Sequence, residues 1–227
     1  MLGLGNSLIT GGVSSEWTVA SIPELGHWFR HRIGLEVSTG DELVTWGDDY
    51  GDLVWEIAAG KVLKNGGDVD FDTHNGRMQL ADESVWNPGT FSVYVVARVR
   101  ASSISNAELL ALNSSNFFRI SNSTTSRIQI GGSTASDITL PGDAIAQNIW
   151  FVFGIEWDGS TVRLYQDTDY STPTTNPDSD TFAGLNSLGK RGSPFDGEMR
   201  EIVMVNNVLS DVNRELLMTH LISISRL

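Results

Sequence analysis

No cysteine occurs anywhere in the sequence, so a disulfide framework and a thiolate metal site are both excluded. That is the usage expected of a chain assembled in a reducing cytosol. Basic residues are scarce: 15 Lys and Arg stand against 28 Asp and Glu, for a formal net charge of −13. Such a balance disfavours the phosphate backbone of nucleic acid and anionic membrane surfaces, so neither partner is expected. No apolar run approaches the roughly 20 residues needed to span a bilayer. The start of the chain lacks a basic segment followed by an apolar one, and its first basic residue is Arg30. Export by ordinary secretion is therefore not expected.

What remains is the composition of a folded globular protein, with 227 residues, 40% hydrophobic, 19% charged and 23 glycines. A chain of this length buries about 70% of its unfolded surface in one large domain. Residues 1–20 carry Gly3, Gly5, Gly11 and Gly12 with no clear period, and read as an N-terminal arm. The domain proper is expected over 21–227. After Pro23, short strand-like runs alternate with turn residues roughly every ten positions. In "FSVYVVARVRA", Phe91, Val93, Val95, Ala97 and Val99 share one face of a strand. In "TVRLYQD", Val162, Leu164 and Gln166 oppose Arg163 and Tyr165. Many short antiparallel strands predict an all-β fold, a two-sheet antiparallel jelly-roll sandwich. One helix is predicted, over about 210–222, with Ser210 as N-cap and Asp211 in its first turn. Val212, Leu216, Leu217 and Leu221 form its apolar stripe, which must pack on the sandwich or on a neighbour.

The ending "FDGEMREIVMVNNVLSDVNRELLMTHL" resembles the closing motif of concanavalin A-like lectin/glucanase domains of the laminin G-like kind, with Gly197, Glu198, Glu201, Leu209, Ser210 and Asp211 in the motif's places. "NIWFVFGIEWDGSTVRLYQD" looks like that family's long strand, Asp-Gly turn and return strand. The resemblance covers roughly Ile22 to Leu221. It implies the concanavalin A-like sandwich with a short C-terminal helix, and it leaves open hydrolase, lectin and purely structural roles. The glycine-studded start "MLGLGNSLITGG" ahead of such a domain resembles virion structural proteins of tailed bacteriophages. That likeness implies a non-enzymatic capsid decoration (cement) protein, assembled in the host cytoplasm and located in the virion. Its partners would be the major capsid protein or other virion proteins, or copies of itself in a trimer. The alternatives are a neck or tail-fibre component, or a lectin-like module that recognises a glycan on a host surface.

Candidate residues follow from these readings. Leu2, Leu4, Leu8, Ile9, Val13 and Trp17 would make the docking contacts, apolar side chains interleaved with glycines that let the arm lie close on another surface. The other reading of the arm is a frayed terminus or a strand of this domain's own sheet. Trp46, Trp55, Trp86 and Tyr50 would offer aromatic faces to a sugar, against the reading that such tryptophans pack inside the sandwich. For calcium, six acids and no base lie between Asp41 and Glu56, with Asp48, Asp49 and Asp52 in one turn-rich stretch. Asp167, Asp169, Asp178 and Asp180 form a second acidic stretch. No cofactor other than calcium is indicated. Catalysis is not expected. The nearest approach to a paired-carboxylate strand is Glu156-Trp157-Asp158-Gly159, where Asp-Gly reads as a hairpin turn. Glu198 and Glu201, three apart, are expected on opposite faces of their strand. His27, His31, His74 and His220 show neither zinc spacing nor a nucleophile partner.

Overall fold

The computed structural model describes residues 17–71, 76–100, 107–113, 116–130, 136–175, 182–189 and 195–227. In chain order its strands are β1 (Leu25–Phe29), β2 (Leu35–Val37), β3 (Leu43–Gly47), β4 (Val54–Ala59), β5 (Val62–Asn65) and β6 (Asp68–Phe71). Next come β7 (Arg77–Leu80), β8 (Phe91–Val99), β9 (Ala107–Asn113), β10 (Asn116–Asn122), β11 (Thr125–Ile130) and β12 (Ser136–Thr139). The last are β13 (Trp150–Trp157), β14 (Thr161–Gln166), β15 (Asp169–Tyr170), β16 (Thr174–Thr175), β17 (Ser187–Leu188) and β18 (Gly197–Val205), followed by the helix α1 (Asp211–Ser225).

Two antiparallel sheets result. The first runs β15-β14-β13-β8-β18-β6-β5, with β1 also paired to β18 and β16 to β14; the second runs β12-β11-β10-β9-β17-β7-β4-β3-β2. The predicted all-β sandwich is the observed architecture. The alternation expected for β8 is also observed. Phe91, Val93, Val95, Ala97 and Val99 enter the main core between the sheets, and Tyr94 and Val96 point to the other face. In β14, Val162 and Leu164 likewise face inward while Tyr165 faces out.

The outer face of the first sheet is covered rather than solvated. A second core there gathers Val19, Ile22, Leu25, Trp28, Tyr94, Val96, Val152, Tyr165, Val203 and Val205 under Leu217, Met218 and Leu221 of α1. The chain is packed into this core from Trp17 onward, ahead of the boundary expected at residue 21. Ser210 caps the helix as expected, its Oγ accepting from the Asn213 N–H at 3.3 Å. The buried stripe differs from the expected one: Leu217, Met218 and Leu221 are covered, whereas Val212 and Leu216 are exposed. The reason is that Arg214, one turn in, is drawn down onto the sheet, and this sets the rotation of the helix.

A bulge in β18 alters a second expectation. The register with β8 shifts between Met199 and Glu201, so Arg200 is an extra residue. Met199, Ile202 and Met204 stay in the main core, which returns Glu198 and Glu201 to the same outer face instead of opposite ones. The bulge also divides the free edge of β18, with β6 pairing Gly197–Met199 and β1 pairing Ile202–Val205.

Candidate functional site

The acids on the outer face of the first sheet are the obvious place to seek chemistry, and all of them are engaged. Glu156 on β13, only 4% exposed, accepts hydrogen bonds from the Tyr94 and Tyr165 hydroxyls at 2.8 and 2.7 Å and from Arg214 Nε and Nη2 at 2.8 and 3.0 Å. Gly154, two residues earlier on the same face, makes this possible. A Cβ there would lie 2.4 Å from the Tyr94 ring, so only glycine lets that ring lie across the strand and reach Glu156. Burial and the neighbouring Glu156 charge push the Tyr94 hydroxyl well above its ordinary range. Arg214 loses hydration on burial, but its hydrogen bonds and charge pairing with Glu156 outweigh that and hold it above its usual value. The site locks a permanent ion pair and two neutral phenols, the opposite of a carboxylic acid poised to give up a proton.

The other acids on this face are paired in the same manner. Glu198 accepts from Arg98 at 2.7 Å, Asp70 pairs with Arg100, and Asp68 accepts from Arg200 Nε at 2.8 Å. Glu201 accepts from the Trp28 indole at 2.8 Å and stands 2.7 Å from His220 Nε2 on α1. His27 Nδ1 lies 2.6 Å from Asp48, and His31 Nδ1 lies 2.9 Å from Asp68. His27 and His220 are thus tied to a carboxylate by a hydrogen bond, whereas His31 stands close to Asp68 with neither ring nitrogen hydrogen-bonded among the described residues; His74 lies outside the described residues.

The calcium expectation meets the same obstacle. Asp48 accepts from the Trp28 and Tyr50 amides at 2.8 and 2.9 Å as well as contacting His27, and Asp49 is bound by Arg30 at 2.7 Å. Burial opposes the Asp48 charge, but these donors prevail and its carboxyl sits below the ordinary carboxylate range. It organises its own loop. Asp52 lines a separate cleft with His27, Trp86 and Asn206. Among the described residues, no three His, Asp or Glu side chains gather in a way that would hold a metal ion. Asp178 and Asp180 lie outside the described residues.

The aromatic expectations divide. Trp46 and Trp86 are 1% and 5% exposed and Trp55 is fully buried, so none presents an open face to a sugar ring. Trp46 and Trp55 close around Phe29 in the main core, and the Trp86 indole donates to Asn206 Oδ1 at 2.9 Å. Tyr50 is 49% exposed on the β3–β4 loop. Among the docking residues, Trp17 is half-buried against the second core, its Nε1 without a hydrogen-bond partner among the described residues. Leu2, Leu4, Leu8, Ile9 and Val13 lie outside the described residues.

A different aromatic lies over an open groove. Between α1 and the β14–β15 hairpin runs a groove of about 650 Å³. Tyr165, Met218 and Ile222 give it an apolar floor, and Arg163, Thr168, Asp211, Glu215 and Thr219 give it polar walls. Tyr170, 66% exposed, stands at its rim with its centroid 6.0 Å from the Tyr165 ring and 5.6 Å from the Arg163 guanidinium. The hairpin that carries it is fixed in register by the Tyr165–Tyr170 and Gln166–Asp169 pairs. Asp167 sits at the turn with a positive φ of 49° and accepts from the Val152 amide at 2.9 Å. Burial and then the charge of Asp169 push its carboxyl above the ordinary range, despite that amide. The sequence had flagged Asp167 and Asp169 only as acidic loop residues. Tyr170 carried no signal, because the groove forms only when a helix about forty residues later docks beside it.

No protein-family model and no curated protein sequence matches this chain. Solved structures do. The binding domain of botulinum neurotoxin DC, in complex with rat synaptotagmin II, superposes with a TM-score of 0.64 at 14% identity, over 90% of this chain and 52% of that one. The same binding domain in complex with SialylT gives 0.61 at 14% identity, over 90% and 52%. Trypanosoma rangeli sialidase, in complex with sialic acid, gives 0.62 at 12% identity, over 87% and 33%. The chain therefore spans about half the length of the neurotoxin binding domains and a third of the sialidase. At such identities the likeness shows the fold alone, a two-sheet antiparallel jelly-roll sandwich.

Proposed function

We propose that the protein is a non-enzymatic, lectin-like binding module that recognises a carbohydrate-bearing surface through the groove between α1 and the β14–β15 hairpin. The observation that carries this reading is Tyr170, an exposed aromatic ring that the β14–β15 pairing places at the rim of an open groove. Aromatic faces pack on the apolar faces of sugar rings, and the convergent hydroxyls and carboxylates of Thr168, Thr219, Asp167 and Glu215 suit a sugar's hydroxyl groups. Structural neighbours solved with sialic acid, with SialylT and with synaptotagmin support a binding role for this architecture. The engagement of Glu156 by Tyr94, Tyr165 and Arg214 argues against glycoside hydrolysis at the one strand with a paired-carboxylate pattern. Docking on a capsid or tail through residues 1–16 draws no support from the comparisons, and the contact residues proposed for it, Trp17 apart, lie outside the described residues. The test is a glycan panel read by surface binding, with wild type and Tyr170→Ala side by side. Binding that falls at least tenfold in the variant supports the reading. Absence of glycan binding, with co-purification alongside a major capsid protein, would replace it with the virion role.

A further inference from the structure

The walls of the groove are unevenly charged. Its walls carry three acids, Asp167, Asp211 and Glu215, against two cations, Arg163 and Arg214. Arg214 is already committed, its Nε and Nη2 to Glu156 beneath it and its Nη1 to Asp211. Counting Glu156, four carboxylates face two guanidiniums, a formal balance of −2, and Asp169 adjoins Asp167. The whole chain adds to this field with a net charge of −13. Arg163 is the one cation in the walls without an ion pair to a carboxylate among the described residues. Its guanidinium lies over the Tyr170 ring, and its Nε–H is buried with no hydrogen-bond partner among the described residues. The contact with Tyr170 holds this lone cation against the ring at the groove's rim.

We infer that the groove takes a neutral saccharide, its ring against Tyr170 and its hydroxyls donating to Asp167 and Glu215, and that it discriminates against sialylated and other acidic sugars. This rests on the reading of the groove as a glycan site and adds its ligand class. The physical reason is asymmetric. A carboxylate in the wall is a strong acceptor for a sugar hydroxyl, whereas a ligand carboxylate placed there meets a net negative wall with Arg163 alone to offset it. Ligands that carry a sialic acid are therefore specified against by repulsion from the walls.

The experiment measures affinities for matched pairs of oligosaccharides, each neutral one beside its sialylated form, by calorimetry at low and at physiological salt. The expected result is a preference of about tenfold or more for the neutral member, corresponding to about 1.4 kcal/mol, which narrows as salt screens the walls. Glu215→Gln removes one exposed wall charge without touching the core, and is expected to narrow the preference. Equal or tighter binding of the sialylated member, still lost in Tyr170→Ala, overturns the neutral-ligand inference and leaves the groove standing as the binding site. Binding of either member that is indifferent to Tyr170→Ala overturns the groove itself.

Discussion

Glu156→Gln tests whether the buried acid of β13 holds the structure together or performs chemistry. The substitution keeps side-chain volume and one acceptor oxygen. It removes the negative charge that Arg214 Nε and Nη2 contact at 2.8 and 3.0 Å, and it turns toward Tyr165 an amide where a carboxylate oxygen had accepted at 2.7 Å. Removing one partner of a buried pair costs roughly 3–5 kcal/mol, because the remaining charge is left without compensation. Asp211 still pairs with Arg214 at the helix rim, so the lower end applies, about 3 kcal/mol. For a domain of this size that lowers Tm by roughly 6–12 °C. Urea unfolding followed by circular dichroism reads the loss. The double variant with Arg214→Met is expected to be less destabilised than the two single losses added together, since each single variant strands the other's partner. A cost below about 1 kcal/mol, or loss of glycoside hydrolysis with stability unchanged, would refute the argument that this carboxylate is a clasp for α1.

Three further outcomes follow from the same packing. Gly154→Ala drives a methyl into the Tyr94 ring and is expected to cost roughly 1–3 kcal/mol in urea unfolding, with Tyr94 forced off Glu156. Ser210→Ala removes the oxygen that caps α1 and is expected to cost about 1 kcal/mol, or roughly 2–4 °C in Tm by scanning calorimetry. Asp158 gives a pH dependence of known sign. Burial opposes its charge, but the side-chain and amide donors of Thr161 and Ser160 lower its carboxyl to about 2, below an unfolded value of about 3.9. Its contribution to stability is therefore present above pH ~4 and lost as pH falls through about 2, and Asp158→Asn is expected to flatten that part of a pH series of unfolding curves.

The parts of the fold that were legible in the sequence are those set by near neighbours. The alternation of Phe91 to Val99 placed β8, and Asp158-Gly159, with Gly159 at φ 95°, placed the β13–β14 hairpin. Ser210 placed the start of α1. What stayed hidden depends on distant partners. The bulge at Arg200, whose guanidinium pairs with Asp68 132 positions earlier, reverses the strand parity expected for Glu198 and Glu201. The rotation of α1 is set by Arg214 reaching Glu156, 58 positions earlier, which leaves Val212 and Leu216 outside although their spacing suggested a buried stripe. The tryptophans were ambiguous in sequence because the same residue type serves a core and a sugar face. Only the packing of Trp46 and Trp55 around Phe29 decides between them. The groove joins residues near 165 to residues near 215, and no local pattern encodes that meeting.

Nuclear magnetic resonance titration of the full chain with a bound neutral oligosaccharide tests the central claim most directly. The account predicts that the shifted amides cluster at 163–170 and 211–222, the two walls of the groove, and that Tyr170→Ala abolishes the shifts. Shifts confined to the separate cleft around His27, Asp52, Trp86 and Asn206 would contradict it.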